Sequence, residues 1–202
     1  MFRIAIVIVL LLLLFIYLRN RKLLASAAGL RQKLLFSLKR NDAHFVHRLR
    51  LFSFSWAVIL FLLLALSGFL PVLLSGHSIS GMVLIVHVLI APFFLFAFTL
   101  WILSTVRQQT FTSRDWQIFQ QGRKTFWTDR HFWGKLLFWL IFFLTLLGVG
   151  AIIFSLFALF SAQTIGLLID VHRYAMLLTF LIAGYAYFHY FSQDQKQNIR
   201  EK

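Results

Sequence analysis

Two histidines interrupt long apolar runs, where an ionisable side chain is costly and therefore points to function. His87 lies in Ser80–Trp101, SGMVLIVHVLIAPFFLFAFTLW, and His172 lies in the last run, Gly166–Phe191. A neutral imidazole binds iron through one ring nitrogen, and a helix bundle is where facing side chains hold a haem. His87 is six residues beyond Gly81 and His172 six beyond Gly166, which is about 9 Å along each helix. Both helices are expected to run the same way through the membrane, so the rings should lie level, as axial ligands of one b-type haem. The competing reading for either histidine alone is a polar contact to a neighbouring helix.

The surrounding residue types suit such a site. Ser67-Gly68 is expected at similar depth, near the outer end of the preceding run, and Gly148 and Gly150 lie in the fourth. Small residues let helices approach closely, or let a flat macrocycle rest on backbone, so Gly68 is a candidate cofactor-binding position. Asp170 and Arg173 flank His172 at i, i+3 spacing. Arg173 can pair with Asp170 or meet a haem propionate, with His77 or Ser78 nearby.

Positioning these groups requires a membrane. Of 202 residues, 60% are hydrophobic and only 13% charged, well below the roughly 25% charged of soluble domains. No cysteine occurs, which excludes disulfides, iron–sulfur clusters, thiolate ligation and c-type haem attachment. The net charge of +14 reads as basic loops beside anionic lipid, not as a nucleic-acid surface.

Five apolar runs are long enough to span a bilayer: Phe2–Leu18, Phe52–Leu70, Met82–Leu103, Leu136–Phe160 and Gly166–Phe191. Pro71 and Ser75-Gly76 are expected to end the second. Arg19, Arg21 and Lys22 follow the first run, which favours an uncleaved anchor over a signal peptide cut near Ala25-Ser26-Ala27. Leu23, Ala27, Leu30, Leu34 and Leu38 recur at helical spacing among basic residues, as in an amphipathic surface helix or a solvated linker. Asn41-Asp42 can cap the next helix. The long basic segments alternate with the short uncharged loops Ser75–Gly81 and Ser161–Ile165. The positive-inside rule then puts the N-terminus outside and the C-terminus in the cytoplasm.

The expected fold is an all-α integral membrane protein, a four-helix transmembrane up-and-down bundle plus an extra N-terminal transmembrane anchor helix. It divides into an anchor (1–22), a basic amphipathic cytoplasmic linker (23–50), the bundle (51–191) and a cytoplasmic tail (192–202).

The inner segment Ser104–Lys135 is aromatic as well as basic, with Trp116, Phe119, Phe126, Trp127, Phe132 and Trp133. It reads as an interfacial aromatic belt, or as a small-molecule pocket or docking surface for a partner. Asp129 and Arg130 are its candidate proton-handling groups, and His131 is expected in solvent.

Four pieces carry a family resemblance: Ala65-Leu66-Ser67-Gly68, His87, Gly134-Lys135-Leu136-Leu137-Phe138-Trp139, and Leu167-Leu168-Ile169-Asp170-Val171-His172. Over roughly Asn41–Phe191 the chain resembles the cytochrome b subunits of membrane-bound formate dehydrogenases, thiosulfate reductases and nickel–iron hydrogenases. The resemblance implies two haems, one near each face, and electron transfer between a quinone and a partner subunit. It makes His87 and His172 ligands of the outer haem. The positions corresponding to the inner-haem ligands hold Phe54 and Ala186, which cannot bind iron. His47 and His189, each about 35 Å from the outer end of its helix, are substitutes for a displaced second haem; His44 also lies close to that end.

The expectation is a membrane b-type cytochrome, an electron-transfer subunit and not a stand-alone enzyme. It would sit in a bacterial inner membrane and relay electrons between the quinone pool and a redox partner subunit on the outer face. The alternative is a haem-free membrane anchor or assembly protein derived from such a cytochrome. A small transporter fits less well, because the midplane is almost wholly apolar.

Overall fold

A computed structural model of the chain describes residues 1–24, 45–76, 79–120, 129–157 and 160–200, of which the side chains of 20–24, 130 and 189–200 are not part. The linker expected as an amphipathic helix, the Asn41-Asp42 cap, His44, His77, Ser78, Phe126 and Trp127 lie outside the described residues, as do the side chains of Arg130 and His189.

The described chain is all α-helical apart from short connections. Its helices are α1 (Phe2–Leu24), α2 (Phe45–Ser75), α3 (Gly81–Thr105), α4 (Ser113–Gln120), α5 (Arg130–Ser155) and α6 (Ala162–Arg200). Five of them, all but α4, are long and apolar enough to cross a membrane. Lipid offers no hydrogen bonds to backbone, so an apolar run this long closes its own i→i−4 bonds and becomes helix. The many large apolar side chains left exposed, Leu62, Leu66, Phe93, Phe96, Phe143 and Leu146 among them, would be untenable in water and suit acyl chains.

Two compact units divide the chain: Met1–Thr105 with the stretch from Tyr187 on, and Val106–Ala186. In the first, α2 and α3 form an antiparallel hairpin. Arg50 meets Ser104, Phe54 meets Trp101, Phe61 meets Phe94 and Ser67 meets His87, in opposite order along the two helices. Arg50 donates through Nε and Nη2 to the Ser104 carbonyl at 3.1 and 2.9 Å, a cation on the negative end of α3. Small buried residues, Ser53, Ala57 and Ala65 on α2 and Ala97 on α3, keep the hairpin close. Helix α1 packs through Phe2 on Phe69, and its Tyr17 meets Phe188. In the second unit α5 and α6 are the long helices, joined through a Ser161 cap whose Oγ accepts from Thr164 N at 3.2 Å.

The observed ends correct several expected ones. Pro71 lies inside α2, which continues to Ser75. A proline deletes one backbone bond, and those on either side persist. The stop comes at Gly76, whose φ of 77° is the left-handed conformation open to glycine and whose N–H bonds Val72 O at 3.0 Å. Helix α5 begins at Arg130, not Leu136, because Asp129 Oδ1 caps it by accepting from Phe132 N at 2.9 Å. It ends at Ser155, not Phe160, in tight bonds from Leu156 N to Ile153 O and from Phe157 N to Phe154 O. Helix α6 starts at Ala162, so Gly166 is interior, and the expected tail is helical through Arg200.

Candidate functional site

His87 projects from α3 onto the small-residue face of α2. Its Nδ1 lies 2.8 Å from Ser67 Oγ. The Ser67 hydroxyl points back along its own helix, 2.9 Å from Leu63 O and 3.1 Å from Leu64 O. With its one proton committed to those carbonyls, Ser67 Oγ accepts from His87 Nδ1–H. In that tautomer of the neutral ring Nε2 is the unprotonated nitrogen. Gly68 makes room for this ring: a Cβ there would stand 3.3 Å from His87 Cε1. Gly68 thus meets the imidazole itself.

His172, in the second unit, has the same arrangement from a different partner. Its Nδ1 lies 2.8 Å from the Gly148 carbonyl oxygen. A carbonyl only accepts, so Nδ1 carries the proton and, in the neutral ring, Nε2 carries the lone pair. Metal-bound histidines are oriented in this way, by donating the other ring N–H to a carbonyl or a carboxylate. At Gly148 α6 lies close against α5: a Cβ there would lie 2.9 Å from Met176 Sδ and 3.4 Å from Ala175 Cβ.

Arg173 donates to Asp170 Oδ1 at 3.2 Å, forming the i, i+3 pair on the side of α6 where Asp170 is exposed. Asp170 and Tyr174 also border an apolar groove of about 710 Å³ walled by Leu144, Leu147, Leu167 and Leu178. His172 does not line that groove.

Of the six candidate positions, Gly68 and His87 come together in the first unit, while His172 and Arg173 belong to the second. Counted from the observed helix starts, His87 is six residues into α3 but His172 is ten into α6, about 9 and 15 Å. The equal spacing therefore does not survive the earlier start of α6. His47 is exposed near the start of α2, and His189 lies within α6. From Ser75 and Ala162 they are 28 and 27 residues away, about 42 and 41 Å, further than expected from the outer ends. Among the described residues no three His, Asp or Glu side chains gather as a metal-binding group; a six-coordinate haem asks for only two imidazoles.

One constellation escaped the sequence reading. Asp115 is buried, and its Oδ2 accepts from Thr112 N (2.6 Å), Thr112 Oγ1 (2.7 Å) and Lys135 Nζ (2.6 Å). Burial works against its charge, but the bonds from Lys135 and Thr112 outweigh it and hold the carboxyl at about 2, below its ordinary 3.8. The signal was present in Thr112-Ser113-Arg114-Asp115, a capping-box spacing. Asp129 is likewise committed, capping α5 and standing 3.7 Å from Arg114.

This architecture defines a multi-pass, all-α membrane protein. No protein-family model, curated protein or solved structure matches the chain.

Proposed function

We propose that the chain is a membrane b-type cytochrome subunit, which relays electrons between the quinone pool and a redox partner subunit. One observation supports this most: two intramembrane histidines each have Nδ1 2.8 Å from an oxygen on a neighbouring helix, Ser67 Oγ and Gly148 O, the second of which can only accept. That donor set fits haem iron, which takes two neutral imidazoles through Nε2.

On this reading His87 and His172 would hold haem b, which when bound supplies one-electron exchange at iron. The protein supplies ligation, orientation and a low-dielectric surrounding. Ser67 and Gly148 fix the tautomers, and Gly68 gives the His87 ring its room. Arg173, paired with Asp170, is the cation available to a propionate. The distribution of basic segments supports an N-terminus outside and a C-terminus in the cytoplasm; on this reading the membrane is a bacterial inner membrane and the partner subunit docks on its outer face. The likeness to cytochrome b subunits of formate dehydrogenases and hydrogenases supports quinone as the lipid-phase redox partner.

The test is the absorption spectrum of the purified full chain. A six-coordinate b-type spectrum that is lost in His87→Ala and in His172→Ala is expected. Haem stoichiometry decides whether His47 and His189 hold a second. A well-folded, colourless preparation from cells replete in haem overturns the proposal and favours the haem-free anchor.

A further inference from the structure

Helix α4 is short, amphipathic and fastened to the end of a membrane span. Its inward face carries Asp115 and Ile118, both buried. Beside them, Trp116 and Phe119 are 59% and 60% exposed, at i, i+3 spacing with ring centroids 6.3 Å apart. Phe111 extends this aromatic stripe, 6.3 Å from Trp116.

Three contacts fix where the helix sits in the second unit. Lys135, in the second turn of α5, bonds Asp115 at 2.6 Å. Trp139 Nε1, one turn further, donates to Gln109 O at 2.9 Å, and Phe132 packs on Phe111 at 5.9 Å. Because α5 from His131 on is a membrane span, these contacts hold α4 at the level where that span leaves the hydrocarbon. Two exposed cations lie close by in the chain: the Arg114 side chain, 3.7 Å from Asp129, is still 79% exposed, and Arg107 is exposed on the turn before the helix. Aromatic rings flanked by arginines at headgroup level match an anionic lipid surface in both depth and charge.

We propose that α4 is an interfacial helix that docks on anionic phospholipid, with Trp116 and Phe119 in the glycerol layer and Arg107 and Arg114 on headgroup phosphates. The Asp115–Lys135 pair is the clasp that keeps the aromatic stripe in register with the bilayer. The proposal does not depend on haem.

The natural lack of cysteine gives a direct test. Full-length Phe119→Cys and Gln117→Cys, each with one fluorescent label, are reconstituted in vesicles of phosphatidylcholine mixed with an equal amount of phosphatidylglycerol. The label at 119 is expected to be quenched by nitroxide lipids, and the label at 117 by an aqueous quencher. In detergent, the Arg107→Gln/Arg114→Gln double variant should bind fluorescent phosphatidylglycerol about tenfold more weakly than the natural chain, with phosphatidylcholine binding unchanged. Equal aqueous quenching at both positions overturns the proposal and leaves this face to a protein partner. An unchanged affinity for phosphatidylglycerol in the folded double variant overturns it as well.

Discussion

His172 donates from Nδ1 to the carbonyl oxygen of Gly148, 2.8 Å away across the α5–α6 pair. The contact exists because position 148 has no side chain. Glycine brings its backbone to the neighbouring helix, and one histidine tautomer follows.

Gly148→Ala would put a methyl 2.9 Å from Met176 Sδ and 3.4 Å from Ala175 Cβ. Part of the strain relaxes through the flexible methionine, so a loss of about 1–2 kcal/mol is expected. Gly148→Ala/Met176→Ala should recover some of it by removing the obstructing sulfur. Thermal unfolding of both variants in detergent checks this. If haem is bound, the single variant should also shift its midpoint potential, because the added methyl pushes α5 and α6 apart and weakens the bond from His172 to the residue 148 carbonyl.

Ser67→Ala removes the acceptor of His87 Nδ1–H and leaves Gly68 in place. An unmet donor in a span costs about 1–3 kcal/mol. On the cytochrome reading, haem retention should also fall roughly 10–100-fold, the usual penalty for losing a ligand's supporting hydrogen bond. Haem content after gel filtration separates this from a purely structural loss.

Breaking the Asp115–Lys135 clasp by halves should be worse than removing it whole. Asp115→Leu or Lys135→Met alone strands a largely buried charge, at a cost of about 3 kcal/mol. Asp115→Leu/Lys135→Met should cost markedly less than the two single losses together. Denaturation in a double-mutant cycle measures the coupling.

The same carboxyl gives the fold an acid limit. Asp115 titrates near 2 when folded, against an ordinary 3.8. A lowered carboxylate value stabilises the folded state at pH above the ordinary value, and that stabilisation drains away as pH falls from about 4 to about 2. It amounts to roughly 2 kcal/mol. The natural chain should therefore lose thermal stability over that interval more steeply than Asp115→Leu/Lys135→Met. Parallel melting curves below pH 4 would refute the assignment.

The membrane architecture was legible in one dimension. Apolar runs of span length dictate helices wherever water is excluded, since backbone groups can only satisfy one another there. The five spanning helices follow from that rule, and the short interval between Ser75 and Gly81 makes α2 and α3 antiparallel neighbours. Helix ends were less legible, because they rest on local bonds: Asp129 starts α5 six residues before its apolar run, and α2 absorbs Pro71.

His87 and His172 were visible as unusual residues in apolar runs, but their chemistry was not. Which ring nitrogen holds the proton depends on what stands opposite. Ser67 and Gly148 are brought there by helix packing at separations of 20 and 24 residues. Likewise Asp115 and Lys135 look like ordinary loop charges until α4 folds against α5. Composition and run length settled that this chain lives in lipid, because solvent acts on every residue separately. Tertiary structure alone decided the hydrogen-bond partners, because those depend on distances between helices that no local pattern encodes.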